Sequence, residues 1–146
     1  MPAWAIAGAA GKALLDGAAS HWSVAGNGQA GYVVDQAYWR FGAGRYRARV
    51  WMQSSGPVRV ELWNATTDRL LARASPDVVR GPAPVTLTAR LRRTSTQQLY
   101  SGWGPWSTRP DPPPGDEVEV RAWSPGGAVR VRVYSVSLTP ISAGSS

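Results

Sequence analysis

Apolar residues recur at every second position through most of this chain, and that period constrains the fold more than any other feature. In "RYRARVWMQ", Tyr46, Ala48, Val50 and Met52 fall on one side of an extended backbone, while Arg45, Arg47, Arg49, Trp51 and Gln53 fall on the other. The same alternation sets Val58, Val60 and Leu62 against Arg59, Glu61 and Trp63. It sets Val85, Leu87, Ala89 and Leu91 against Thr86, Thr88, Arg90 and Arg92, and Val118, Val120 and Ala122 against Glu117, Glu119, Arg121 and Trp123. In the last run Val129, Val131 and Val133 oppose Arg130 and Arg132, but Tyr134, Val136 and Leu138 follow the arginine parity. A bulge near Tyr134 would return the apolar set to the core.

Gly, Pro, Asn, Asp and Ser clusters separate these runs, which is the punctuation of an all-β domain. Helical periodicity is confined to "AIAGAAGKALLDGAA", where glycines weaken it. "GYVVDQAYWRF" reads as a strand, "SSGP" as a hairpin turn, "RLLARAS" as a short strand and "RGPAP" as part of a loop. "QQLYSGW" reads as a strand entering the loop "GPWSTRPDPPPGD", and "SPGG" as a turn. About eight or nine strands with long loops predict a two-sheet antiparallel β-sandwich of jelly-roll type. The expected organisation is one domain over 1–140, with 141–146 as a tail or linker.

The 146 residues include no cysteine and one histidine, His21, which removes disulfides, thiolate metal sites and Ser-His-Asp chemistry centred elsewhere. The net charge of +7 suits an anionic partner, or reflects arginine-rich coding, since the arginines are spread along the chain rather than gathered in a block. No apolar run reaches the length of a membrane span. The opening "MPAWAIAGAAGKALL" lacks a cationic n-region, so the expectation is a module excised from a longer secreted protein.

Eight tryptophans against one phenylalanine exceed what core packing asks for. Indole offers a broad flat face and an N–H that needs a partner. The order of segments, "HWSVAGNGQAGY", then "GAGRYRARVWMQSSGPVRVELWN", then "GDEVEVRAWSPGGAVRVRVYSVSL", resembles jelly-roll carbohydrate-binding modules of the galactose-binding-like group. The resemblance covers roughly Leu14 to Leu138 and rests on order and texture. It implies a non-catalytic domain appended to a glycan-degrading enzyme, with a polysaccharide or oligosaccharide as partner. The acidic "D-D-V" common near the end of such modules is "YSVSL" here, so carboxylates for a calcium site of that kind are missing at that spot.

A sugar ring presents a face of C–H groups edged by hydroxyls. A binding site therefore asks for an exposed aromatic face beside fixed donors and acceptors. Two places qualify. One is the loop carrying Gln98, Tyr100, Trp103 and Trp106; the other is the outer face of the strands carrying Trp51, Trp63 and Trp123 beside Arg49, Glu61, Glu119 and Arg121. On that face the alternative is that loops cover the tryptophans, or arginines stack on them, to form a second small core. In "AYWRF", Tyr38 and Trp39 face opposite ways, and Trp39 is taken as the ligand-facing member.

Other functions are disfavoured. Glu61 and Glu119 could form a glycosidase pair only on neighbouring strands, and adjacent arginines would keep them ionised. Asp68, Asp111 and Asp116 show no calcium-ligand spacing, so no cofactor is expected, and a structural calcium ion lacks a clear ligand set. Two alternatives stand beside the glycan reading: an adhesion β-sandwich of a cell surface or phage that recognises protein, and a basic single-stranded nucleic-acid binder. Against the second stand the high strand count and the single lysine.

Overall fold

A computed structural model describes residues 7–16, 21–92 and 115–141. Nine strands run through them: β1 (Gly11–Asp16), β2 (His21–Gly26), β3 (Gly31–Phe41), β4 (Gly44–Ser54), β5 (Arg59–Asn64), β6 (Arg69–Ala74), β7 (Val79–Leu91), β8 (Asp116–Ser124) and β9 (Val131–Ile141). They form two antiparallel sheets, β1-β2-β9-β4-β7 and β3-β8-β5-β6, which is a jelly-roll β-sandwich. Among the described residues no helix is long and apolar enough to cross a membrane.

The inner faces are the apolar parities read from the sequence. Ala48, Val50 and Met52 of one sheet and Val60, Leu62, Val118, Val120 and Ala122 of the other are fully buried. Each large side chain of this set contributes about 1.5–3 kcal/mol by leaving water. The parity change at Tyr134 is a bulge: Trp51 pairs with Ser135 and Met52 with Val133, so Tyr134 is the extra residue. Val133 and Val136 are both buried as a result.

Three local expectations are corrected. The one segment with helical character contains strand β1, whose six residues pair along their whole length with β2. "SSGP" is not a hairpin turn but a crossing, because β4 and β5 belong to different sheets. "RGPAP" is not a loop but the first part of β7. That strand lies at the edge of its sheet, where prolines lacking an N–H are tolerated. The "SPGG" turn also crosses between sheets, from β8 to β9. Its Gly126 has φ +74°, and a Cβ there would stand 2.6 Å from Ala30 N, so only glycine fits.

Candidate functional site

The outer face of the four-stranded sheet is built from rows of side chains about 6.8 Å apart along the strands. Register sets Tyr32, Trp123 and Arg59 in one row. The next holds Arg121, Glu61 and Arg73, and the third Tyr38, Glu119, Trp63 and Leu70. Aromatic rings therefore flank a central charged row.

Two carboxylates lie at the base of this layer, although both belong to the outward parity. Glu61 is 3% exposed and Glu119 2%. Carboxylates so far from water need several donors. The Tyr32 hydroxyl donates to Glu61 Oε1 at 2.8 Å, and the Trp63 indole N–H donates to the same oxygen at 3.1 Å. Arg59 Nε stands 2.7 Å from Glu61 Oε2, and Arg121 Nη2 donates to Glu119 Oε2 at 2.9 Å.

The two guanidinium groups then cover the rings. Arg59 lies 4.6 Å from the centre of the Trp123 ring, and Arg121 lies 4.7 Å from Trp63 and 5.5 Å from Tyr32. These are cation–π distances. Both indoles are half-buried, and Tyr38 is 42% exposed at the end of its row. The layer is thus partly a second small core and partly an open aromatic and cationic surface.

The titration of the layer follows from this burial. Loss of solvent raises the Glu119 carboxyl above its ordinary range, and the hydrogen bond from Arg121 pulls it back. That bond holds the Arg121 proton more firmly than usual. Desolvation also raises Asp35, in the irregular part of β3, with Arg121 opposing. Tyr38 is raised first by desolvation and then by Glu119, Glu117 and Asp35, so at neutral pH it stays a hydroxyl donor.

The sequence matches no family model and no curated protein. Solved structures do match. The carbohydrate-binding module CBM6cm-2 of Cellvibrio mixtus lichenase 5A, in complex with cellotriose, superposes with a TM-score of 0.61 at 8% identity, over 97% of this chain and 96% of that one. The module TmCBM61, in complex with β-1,4-galactotriose, gives 0.55 at 11% identity, over 90% and 83%. This chain has the β-sandwich fold of carbohydrate-binding modules. At such identities no residue's role transfers, so the site rests on this chain's own geometry.

Within the module fold, Trp63, Trp123, Glu61, Glu119 and Arg121 come together on one face. Trp51 and Arg49 do not join them, because β4 belongs to the other sheet, where Trp51 is 43% exposed between Pro84 and Ser135. Trp39 is corrected too: it pairs with buried Val118 and packs on the core, and the outward residue of that dipeptide is Tyr38. Gln98, Tyr100, Trp103 and Trp106 lie outside the described residues.

Sequence reasoning missed Tyr32 and Arg59, and named Tyr38 only as the residue facing away from Trp39. For Tyr38 and Arg59 the signal was present, since each alternates with a core residue. Tyr32 was hidden by the irregular pairing of β3 between Tyr32 and Ala37, where Val33 and Val34 are both buried. Among the described residues no group of three or more His, Cys, Asp or Glu could hold a metal ion.

Proposed function

We propose that this chain is a non-catalytic carbohydrate-binding module that takes a polysaccharide along the outer face of β3-β8-β5-β6. Tyr38 and the open parts of Trp63 and Trp123 stack on sugar rings, and the outward N–H groups of Arg59 and Arg121 donate to hydroxyls. One observation carries the reading: the guanidinium groups on this face are held in place from below by buried carboxylates, beside aromatic rings. Donors fixed before the ligand arrives lose little freedom on binding. The fold, shared with modules solved in complex with cellotriose and β-1,4-galactotriose, supports the same reading.

Catalysis is disfavoured by the state of the carboxylates. Glu61 and Glu119 do lie on paired strands. Yet Glu61 is engaged by Tyr32, Trp63 and Arg59, and Glu119 is capped by Arg121. A general acid has to reach the glycosidic oxygen. Attachment to a glycan-degrading enzyme and secretion belong to the same proposal, as does a contribution from Gln98, Tyr100, Trp103 and Trp106.

The test is retention on a panel of immobilised neutral and acidic polysaccharides, with wild type, Tyr38→Ala, Trp123→Ala and the double variant Trp103→Ala/Trp106→Ala. The reading expects retention on at least one polymer and its weakening by Tyr38→Ala or Trp123→Ala in proteins with unchanged circular dichroism. If no polymer retains the wild type, the function is wrong. If only the loop variant loses binding, the site is misplaced.

A further inference from the structure

The two sheets meet along one flank, where their edge strands β6 and β7 lie side by side. At the Arg69 end of β6 this flank opens into a cleft of about 570 Å³. Thr67, Arg69, Leu70 and Leu71 line it from one side, and Arg90 and Leu91 from the other. Its floor is apolar: Leu91 is buried, and Leu71 packs against the core. Arg69 and Arg90 are exposed on opposite walls, one on each sheet. Arg92, also at the cleft, is already engaged and is not needed.

The wall that carries Arg69 is fixed. Asn64 Oδ1 accepts from the backbone N–H groups of Thr66 and Thr67, and the Ala65 N–H donates to the Glu117 carbonyl at 2.8 Å. Thr66 Oγ1 accepts from the Glu117 N–H at 2.8 Å. Arg69 therefore follows a turn tied to β8. The nearby acids do not neutralise the cleft. Asp116 is fully buried and receives the Asn64 amide, and Asp68, exposed on the turn, is not a lining residue. Among the described residues, neither Arg69 nor Arg90 forms a salt bridge.

Leu70 belongs to two places. It ends the third row of the outer face, after Tyr38, Glu119 and Trp63, and it lines the cleft. At 41% exposure it forms an apolar step between them. A glycan lying along that row leaves the sheet over Leu70 and meets two guanidinium groups.

We infer that this cleft is a subsite for an acidic sugar, whose carboxylate or sulfate is held between Arg69 and Arg90. Guanidinium is a planar fork that grips either group through paired hydrogen bonds. The leucines take the C–H face of the ring, and the Thr67 hydroxyl serves its polar edge. The volume falls within the range of small-molecule sites, about 300–1,000 Å³. The anion follows from the arginines. That a sugar carries it rests on the proposed function and narrows it, since the polymer on the outer face then bears uronate or sulfated residues.

The experiment is an NMR titration of the full chain with a galacturonate disaccharide, glucose 6-sulfate, a neutral galactose disaccharide and inorganic sulfate, at about 50 and 500 mM NaCl. The variants are Arg69→Gln/Arg90→Gln and Tyr38→Ala. Expected is binding of at least one acidic sugar at low salt, weakened at least about tenfold by the double variant and weakened by high salt, with little change in Tyr38→Ala. The better bound of the two acidic sugars identifies the anion. Circular dichroism checks the fold of the double variant; if it is altered, the two single substitutions decide on the same terms. No binding of either acidic sugar, or equal affinity of wild type and variant, overturns the inference. Inorganic sulfate bound as tightly as the sugars overturns the ligand class. Retention on neutral polysaccharide and its loss in Tyr38→Ala report on the outer face alone, so the cleft and the module reading fail separately.

Discussion

The guanidinium of Arg121 lies 4.7 Å from the centre of the Trp63 ring while its Nη2 stands 2.9 Å from Glu119 Oε2. A single side chain thus neutralises a buried carboxylate and covers an indole. Arg121→Lys keeps the charge but loses the plane that makes both contacts. Arg121→Ala leaves Glu119 buried with its charge uncompensated, which costs about 2–4 kcal/mol where the arginine is itself partly wet. Urea denaturation should rank wild type above Arg121→Lys above Arg121→Ala. An alanine variant as stable as wild type would mean the layer is not a structural unit.

Tyr38 and Trp39 make a paired test of face. Tyr38 is exposed and Trp39 packs on the core. Tyr38→Ala should leave the thermal midpoint nearly unchanged and weaken glycan binding about tenfold, the scale of one lost stacking contact with its hydroxyl. Trp39→Ala should do the reverse, costing about 3 kcal/mol or more of stability. Calorimetry for binding and for unfolding separates the two outcomes.

The alternation in β4, β5 and β8 made the inner faces legible, because a strand's period places each residue without reference to its neighbours. The bulge at Tyr134 was legible for the same reason: two valine runs of opposite parity cannot both reach the core without one. Sheet membership was not. Trp51 and Trp63 end similar strands, and nothing in either run says that the crossing at Ser54–Pro57 sends β5 to the other layer. Burial of Glu61 and Glu119 was also invisible, since it depends on Tyr32 of β3, which the fold brings to Glu61, and on Arg59 and Arg121 turning back onto the carboxylates of their own strands. The short paired strand β1 was obscured by its alanines and glycines, which carry little periodicity of their own.

Asn64 occupies a glycosylation sequon, "NAT", yet its side chain is committed. It is 2% exposed, its Nδ2 donates to Asp116 Oδ2 at 2.9 Å, and its Oδ1 accepts from the backbone N–H groups of Thr66 and Thr67. The amide therefore ties the β5–β6 turn to the start of β8. Expression in a glycosylating host should yield protein with no glycan at Asn64, checked by intact mass. Asn64→Ala should destabilise by about 2–3 kcal/mol, because it strips partners from a buried carboxylate and two turn amides. Asn64→Asp should be worse at neutral pH, since it sets a second carboxylate against Asp116.

Asp35 offers a pH test with a definite sign. Its Oδ1 is buried without a hydrogen-bond partner, and desolvation raises its pKa in the folded chain. The native state then holds a proton that the unfolded chain releases, over the window from the ordinary aspartate value of 3.8 up to the raised one. Asp35 stabilises fully below that window, and its contribution is lost as pH rises through the folded value. Asp35→Asn, which cannot ionise, should therefore raise the thermal midpoint at about pH 7 and match wild type below about pH 3.5, where aspartate is itself neutral. Arg121 works against the effect by favouring the ionised form, so Asp35→Asn in an Arg121→Gln background should show the larger gain. A variant less stable than wild type at neutral pH would show that attraction to Arg121 outweighs the lost solvation.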